Sequence, residues 1–183
     1  MHNSSRSLRE SMILDATLLE LRESDSTNIS MQQIANRCGL TRSAIYQYFA
    51  SVEDIFAELV INDLADLVNE IESRMAQDSD PVAQVNSWLF HSLKYLSDGE
   101  HAHIRKLSEL NMPEEKRNLM RILHGQFMLS LLSPVTQINP KSGEAACAYI
   151  AAVVNSAANR LDNGSDFESE MAAVKQFVTA AIS

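Results

Sequence analysis

The sequence contains few of the residues that crosslink a chain or interrupt its helices. Its 183 residues include only 2 cysteines, 5 glycines and 4 prolines. Cys38 and Cys147 are far apart in the sequence, which excludes a disulfide framework and a cysteine-based metal site at any recognised spacing. Glycine and proline disfavour helix interiors, whereas the abundant alanine, leucine, glutamate and glutamine favour them. The composition therefore predicts an all-α fold.

Long apolar runs are missing as well. No run approaches the roughly 18 residues that a membrane-spanning helix needs, and the first residues, MHNSSRSLRE, lack the apolar segment of a signal peptide. Hydrophobic residues at 45% and charged residues at 21% are ordinary for a soluble globular protein. We therefore expect a cytoplasmic protein that does not bind a membrane.

Positive charge is scarce. The formal net charge is -9, and no lysine occurs before residue 94. Residues 1–51 hold five arginines and five acidic residues, so the entire excess of acid follows residue 51. An acidic body of this kind repels DNA at long range and suppresses non-specific binding. Any DNA-binding surface on this chain is therefore expected to depend on few phosphate contacts.

Residues 29–49, ISMQQIANRCGLTRSAIYQYF, carry the signals of two short helices joined by a tight turn. Ser30 and Gln33 form an S-x-x-Q capping box at the start of the first helix. Gly39 suits the left-handed conformation that commonly ends a helix, and Thr41 suits the cap of the second helix. Two capped helices around one glycine match the helix-turn-helix motif, whose second helix enters the major groove of DNA.

The second helix of this motif sorts its side chains onto two sides. Ile45 and Phe49 are four residues apart and share the side that faces the core. Tyr46 follows Ile45 directly, so its side chain points about 100° away from that side. This geometry predicts that Tyr46 is exposed, and burial of Tyr46 and Tyr48 beside Phe49 is the alternative.

The motif resembles the DNA-binding domain of TetR-type repressors over residues 8–60. The residues that carry the resemblance are Ile34-Ala35, Gly39-Leu40-Thr41-Arg42, Ile45-Tyr46-Gln47-Tyr48-Phe49, Ser51 and Glu53. The family pattern usually has a lysine where this chain has Val52, so the phosphate contact of that lysine is not predicted here.

Capping and periodicity signals along the chain predict an all-α fold of about nine helices. The resemblance implies that residues 1–51 form a three-helix helix-turn-helix domain and that residues 52–183 form a helical domain for ligand sensing and dimerisation. It also implies a homodimeric repressor that binds a palindromic operator in double-stranded DNA and is released by a small molecule. Two alternatives stay open: a helix-turn-helix regulator without an effector, and a helical interaction protein that has lost DNA binding.

Side chains of the motif differ in what they can recognise on DNA. Arg42 is the candidate for a base-edge contact with guanine, and Ser43, Ala44 and Gln47 could reach adjoining bases. The hydroxyl groups of Ser30, Thr41, Tyr46 and Tyr48 are better suited to phosphates. The predicted DNA-binding residues are Ser30, Gln33, Thr41, Arg42, Ser43, Ala44, Tyr46, Gln47 and Tyr48.

The last two predicted helices are rich in alanine, and Ser165 with Glu168 predicts a capping box at the start of the final one. Small side chains let helices approach closely, so two such helices from each of two subunits could form a four-helix dimer interface. The predicted interface residues are Ala148, Ala152, Met171, Val174, Phe177 and Val178. A monomeric helical core would also explain the composition.

A small-molecule pocket in the second domain is implied by the resemblance alone. The candidate lining residues are Trp88, His91, Met112, Phe127, Tyr149, Asn155 and Asn159, with Tyr95, His124 and Met128 of similar mixed character. Asn155 and Asn159 share one helix side and are costly to bury without partners, so they line a cavity, meet solvent or contact the second subunit. For each of these residues, core packing or surface exposure is the competing explanation.

The sequence contains no motif that is typical of an enzyme active site or of a metal site. The chain has no nucleophile elbow, phosphate-binding loop or dinucleotide fingerprint. His101 and His103 form a possible metal-binding pair, but no third ligand stands at a recognised spacing. We therefore expect no enzymatic activity, no cofactor and no bound metal.

Overall fold

A computed structural model describes residues 2–24, 26–141 and 143–182 of the chain. These residues form helices and contain no β-strand, which confirms the all-α prediction. The helices, in chain order, are α1 (His2–Ser24), α2 (Met31–Cys38), α3 (Arg42–Ile45), α4 (Val52–Met75), α5 (Pro81–Ser97), α6 (Gly99–Leu107), α7 (Glu114–Ser130), α8 (Leu132–Ile138), α9 (Glu144–Asp162) and α10 (Phe167–Ile182).

The helix that the sequence did not predict is α8. The sequence suggests one helix that runs from Pro113 to the Ser133-Pro134 pair. In the structure α7 ends at Ser130 and α8 begins at Leu132, with Pro134 in its first turn. Proline lacks the N–H that would continue the ladder but is tolerated in a first turn, so the chain restarts its helix around it.

Contacts between residues divide the described chain into two compact units. The first, here called the head unit, contains the residues up to 63 together with 103–120, and the second, the body unit, contains 64–102 and 121–182. The sequence places a domain boundary after residue 51. The difference arises because Ile55 and Phe56 of α4 and Leu107 of α6 belong to the head core.

The head core is built from the apolar sides of short helices. Ile13 of α1, Ile34 of α2 and Ile45 of α3 are fully buried and belong to one cluster with Ile55 of α4. Thr17 is also fully buried, and its hydroxyl donates to the carbonyl oxygen of Ile13 at 2.8 Å. The four helices therefore share one core, and the helix-turn-helix is held in place by α1 and α4.

The body unit is organised around α5, which packs against α8, α9 and α10. Trp88 and Leu89 of α5 are buried in one cluster with Val135 of α8, Ile150 of α9 and Val174 of α10. Replacing one such large buried side chain by alanine typically costs about 2–5 kcal/mol, since the neighbours collapse only partly into the space. This core supports the cavity described below.

An ion pair and a cap define the junction of α9 and α10. Arg160 donates from Nη2 to Glu170 Oε2 at 2.7 Å and from Nε to Oε1 at 2.8 Å. Asp166, not Ser165, caps α10: its carboxylate accepts the Ser169 N–H at 2.9 Å. The predicted Ser165–Glu168 box is therefore wrong, because the neighbouring aspartate is an equally good cap and the helix begins one residue later than that box requires.

No helix among the described residues is both long enough and apolar enough to cross a membrane.

Candidate nucleic-acid interface and cavity

Helix α2 begins with the capping box that the sequence predicts. The Ser30 N–H donates to Gln33 Oε1 at 2.9 Å, and the Gln33 N–H donates to Ser30 Oγ at 3.3 Å. The Ser30 hydroxyl also donates to Gln33 Oε1 at 2.7 Å. Both side chains are exposed, but their polar atoms already bond to one another. Contacts of Ser30 or Gln33 with DNA would therefore compete with the cap.

Gly39 makes the turn between the two helices possible. Its φ of 65° and ψ of 28° place it in the left-handed region, which glycine adopts without a Cβ penalty. The Leu40 N–H then donates to the carbonyl oxygen of Ala35 at 2.9 Å, which satisfies the end of α2. The predicted helix-turn-helix geometry is confirmed at this turn.

The second helix of the motif is shorter than its sequence suggests. Thr41 caps it, since its Oγ1 accepts the Ala44 N–H at 3.2 Å. The α-helical part spans only Arg42–Ile45, after which the Tyr48 N–H donates to the carbonyl oxygen of Ile45 at 2.8 Å. A bond between residues three apart tightens the last turn. Residues 46–48 therefore form a turn that continues the exposed surface of α3.

Arg42 and Tyr46 form a pair on this surface. Arg42 Nη2 donates to Tyr46 Oη at 2.9 Å, and the guanidinium carbon lies 5.4 Å from the centre of the tyrosine ring. The exposed fraction of Tyr46 is 42%, which confirms the prediction that it points away from the core. The tyrosine thus holds the arginine side chain in one orientation at the surface.

The predicted DNA-binding residues all lie in the head unit, on or beside α2 and α3. Ala44 and Tyr48 are half-buried. The exposed members are Ser30, Gln33, Thr41, Arg42, Ser43, Tyr46 and Gln47. Tyr48 packs against the head core, so its ring serves packing as well as the surface. The structure brings these side chains together on one short segment, as a surface that enters a groove requires.

One arginine of the head unit forms ion pairs with carboxylates of the same unit. Arg37 of α2 donates from Nε to Glu20 Oε2 of α1 at 2.6 Å and forms two further hydrogen bonds with the Glu23 carboxylate. These bonds raise the pKa of Arg37 and lower the pKa of Glu23. Val52, which stands where the family pattern usually has a lysine, is half-buried against the head core and carries no charge. Arg42 is therefore the cation that the motif presents, while Arg37 joins α1 to α2.

The body unit contains a partly open cavity of about 400 Å³. Four helices contribute to its wall. The lining residues are Leu64 and Leu67 of α4, Ser92, Tyr95 and Leu96 of α5, His124, Phe127 and Met128 of α7, and Ala148, Ala151, Ala152 and Asn155 of α9. A mainly apolar wall with a few polar groups is typical of a small-molecule site, and the volume lies toward the small end for such sites.

Ser92 is unusual among these residues. The residue is 1% exposed, and its Oγ is the one buried side-chain polar atom among the described residues that has no hydrogen-bond partner in the protein. Leaving a buried hydroxyl unpaired costs about 1–3 kcal/mol. A serine within a helix often donates to the carbonyl oxygen of the preceding turn, but Ser92 does not. The Ser92 hydroxyl in the cavity wall therefore has no hydrogen bond within the described part of the protein.

The sequence identifies some of the cavity residues and misses others. Of the seven predicted residues, Phe127 and Asn155 line the cavity. Trp88 lies directly behind Phe127: the ring centroids are 4.8 Å apart, and Trp88 Nε1 donates to the Phe127 carbonyl oxygen at 3.3 Å. Tyr95, His124 and Met128, the additional candidates, also line the cavity.

The four other predicted ligand residues lie elsewhere. Met112 is buried in the head core, and the exposed fraction of Tyr149 is 72%. His91 Nδ1 lies 3.5 Å from Glu70 Oε1, and desolvation lowers the pKa of His91. Asn159 is exposed, and its carbonyl oxygen accepts from Asn163 Nδ2 at 2.6 Å. Aromatic and polar character therefore does not by itself identify a lining residue, because orientation on the helix decides it.

Sequence reasoning misses Ser92 as a cavity residue. The sequence does contain a pattern that could identify it. Ser92 lies four residues from both Trp88 and Leu96, so it places a hydroxyl on an apolar side of α5. The lining leucines, Leu64, Leu67 and Leu96, carry no such signal, since any core helix presents similar residues.

The predicted dimer residues differ in how far the chain buries them. Val174 and Val178 of α10 are each 1% exposed and belong to the core of the body unit, against which the half-buried Met171 also packs. Ala148 and Ala152 of α9 and Phe177 of α10 are exposed, and the exposed fraction of Phe177 is 60%. The outer sides of α9 and α10 thus carry apolar surface that one chain leaves uncovered.

Comparison with known proteins matches the helix-turn-helix region to a family model and most of the chain to a known fold. Residues 13–59 match the model for bacterial regulatory proteins of the tetR family. Over 150 residues the chain is 23% identical to the HTH-type transcriptional regulator BetI of Agrobacterium fabrum, covering 80% of this chain and 73% of that relative.

Two solved structures illustrate the shared fold. The transcriptional regulator FadR from Bacillus subtilis, in complex with stearoyl-CoA, is 17% identical with a TM-score of 0.73, covering 92% of this chain and 96% of that one. The TetR family regulator PfmR from Thermus thermophilus is 17% identical with a TM-score of 0.69, covering 91% of this chain and 94% of that one. These structures show the fold that the chain shares with them, while the matched helix-turn-helix model and the BetI relative support a DNA-binding transcriptional regulator of the TetR type.

Proposed function

We propose that this regulator is a repressor that binds a two-fold symmetric operator as a homodimer and leaves it when a small molecule fills the body cavity. The observation that carries the proposal is the surface formed by α3 and the turn after it, where Arg42 is held outward by Tyr46. A guanidinium presented in this way can read a guanine in the major groove.

A homodimer is supported by the uncovered apolar side chains of α9 and α10. Tyr149 and Phe177 are 72% and 60% exposed, and small residues such as Ala148 and Ala152 beside Tyr149 would let a second copy approach closely. A helix-turn-helix protein that reads two half-sites also needs two heads about 34–36 Å apart, or a multiple of that distance. Pairing α9 and α10 with their copies would cover the apolar surface and supply the second head.

Effector control is supported by the cavity in the body unit and by the structural neighbour from Bacillus subtilis, whose structure holds stearoyl-CoA. A ligand shifts a regulator toward release only if it binds the released state more tightly than the DNA-bound state. An effector of this protein should therefore bind the free form more tightly than the operator complex, by the same factor by which it weakens DNA binding.

The proposal is tested by an electrophoretic mobility shift with DNA from upstream of the protein's own gene, with random DNA as competitor. We expect a retarded band that survives the competitor, together with repression of a reporter that carries the same DNA. A shift that random DNA removes completely would contradict sequence-specific binding.

The dimer is tested separately by light scattering on purified protein. The Phe177→Glu variant should shift the mass from that of two chains toward that of one, since it places a charge in the proposed interface. Lys175→Gln, at an exposed position on the same helix, changes the net charge by the same one unit and is the matched control. A wild-type protein that is monomeric at micromolar concentration would overturn the proposed interface.

A further inference from the structure

The polarity of the cavity wall restricts the class of molecule that it can bind. None of the described residues that line the cavity is lysine, arginine, aspartate or glutamate. A charged ligand group that moved from water into this cavity would find no lysine, arginine, aspartate or glutamate among the described lining residues to pair with. Burying an unpaired charge is strongly unfavourable. The wall therefore favours a ligand without a formal charge.

The wall also offers a specific polar contact. Ser92 Oγ is buried and has no partner in the protein, as described above. A hydroxyl has one donor and two acceptor sites, so it can meet either a hydroxyl or a carbonyl group of a ligand. Because Ser92 Oγ is buried beneath the cavity surface, its side chain must change rotamer to meet such a ligand group, which then satisfies a polar atom that the fold leaves unpaired.

We propose that the cavity binds a neutral, largely apolar small molecule whose hydroxyl or carbonyl group forms a hydrogen bond with Ser92 Oγ. The inference rests on the proposed effector control and specifies the chemical class of the effector. The leucine, phenylalanine and methionine side chains of the wall surround the apolar part of the molecule, while Ser92 fixes its orientation. Phe127 forms the side of the cavity that lies against Trp88.

Binding can be followed without a label. Trp88 is the single tryptophan of the chain, and its ring stacks on the lining residue Phe127. A ligand against Phe127 should change the fluorescence of Trp88. The probes are 1-decanol, decanoic acid and decylamine, which share an alkyl chain but are neutral, anionic and cationic near neutral pH.

We expect 1-decanol to bind at least about tenfold more tightly than either charged probe, because the wall supplies no opposite charge. Ser92→Ala should weaken 1-decanol binding about three- to tenfold, the range for one neutral hydrogen bond. It should leave the melting temperature unchanged or higher, since it removes an unpaired buried hydroxyl. Ser87→Ala, a half-buried serine of the same helix that does not line the cavity, should leave the affinity unchanged.

Several outcomes would overturn the inference. They are equal or tighter binding of decanoic acid or decylamine, unchanged 1-decanol affinity in Ser92→Ala, and no binding of any probe. Release of operator DNA is measured in parallel with the same probes. If 1-decanol binds as expected but does not release DNA, the proposed effector control fails while the ligand class stands.

Discussion

At the residue scale, the proposed base recognition rests on Arg42. It is the cation that the short α3 helix presents, and Tyr46 holds it by a hydrogen bond of 2.9 Å. By contrast, Arg37 is engaged by Glu20 and Glu23 within the head. An arginine that makes a bidentate contact with one guanine contributes discrimination at that base pair and little elsewhere.

Replacing Arg42 by alanine should weaken operator binding by about 1–3 kcal/mol and relax sequence preference at one base pair of each half-site. The measurement is a fluorescence anisotropy titration against the operator and its single-base-pair variants. Arg74→Ala, an exposed arginine of the body unit, is the control and should leave the affinity unchanged. An equal loss of affinity for all sequences would show that Arg42 contacts a phosphate.

Replacing Tyr46 by phenylalanine tests whether the tyrosine acts through Arg42. The variant loses the hydroxyl that accepts from Arg42, so we predict a weaker preference at the same base pair, by less than Arg42→Ala causes. The Arg42→Ala, Tyr46→Phe double variant should bind no more weakly than Arg42→Ala alone, because the two residues form one unit. Additive losses would instead support an independent phosphate contact by Tyr46.

Exposure of Tyr46 could be predicted from the sequence, but its hydrogen bond could not. The direction of a side chain follows from its position on a helix, whereas the bond to Arg42 depends on the rotamers of two long side chains. Ser92 shows the same limit. Its position on an apolar side of α5 was visible, but the missing partner of its hydroxyl is a property of the folded surroundings.

At the scale of elements, caps and turns decide where the helices begin and end. The Ser30–Gln33 box and the Gly39 turn were correctly predicted, because each depends on residues within a few positions of one another. The end of α3 and the cap of α10 were not, since several residues nearby could serve equally well. Local signals thus predict that an element exists better than they predict its last residue.

Gly39→Ala should destabilise the head by about 1–2 kcal/mol, because alanine is strained at a φ of 65°. A Cβ at this position would meet no atom within 4 Å, so the loss isolates backbone strain. Gly125→Ala in α7 is the matched control: its Cβ also meets nothing within 4 Å. That variant should be stabilised by about 0.5–1 kcal/mol, as expected inside a helix. Chemical denaturation measures both, and equal effects would contradict the role of the turn.

The ion pair between α9 and α10 should make stability depend on pH. Hydrogen bonds from Arg160 lower the pKa of Glu170 in the folded protein. Its stabilising contribution is therefore complete above the unfolded value of about 4.3 and is lost as the pH falls through the lower folded pKa.

We predict that Glu170→Gln lowers the melting temperature at neutral pH and that this difference shrinks as the pH falls below the unfolded pKa. The exposed Glu168→Gln is the control on the same helix. Thermal melts over a pH series give the result. A difference between wild type and Glu170→Gln that stays constant into strong acid would mean that the charge of Glu170 is irrelevant.

At the scale of the whole molecule, the sequence indicates a DNA-binding head and a helical body but not the composition of the cavity. The head motif is contiguous within 21 residues, from Ile29 to Phe49, and its local signals suffice. The cavity wall is contributed by α4, α5, α7 and α9. Which residues of four separate helices meet is set by packing between them, so composition alone identified only part of the wall.

The negative charge of the whole chain also shapes DNA binding. With a net charge of -9, the protein gains little from non-specific attraction to phosphates. In the proposed homodimer, the affinity comes instead from two correctly placed heads that bind together. A dimer whose heads are related by a two-fold axis can satisfy both half-sites only when these lie on the same side of the duplex.

The most direct test of this account is the affinity for an operator whose two half-sites are separated by an additional half turn of DNA, about five base pairs. We predict that the insertion lowers the affinity to that of a single half-site, and that an insertion of a full turn is tolerated better than the half turn. Unchanged affinity after the half-turn insertion would contradict recognition by a two-fold dimer that presents Arg42 from both heads.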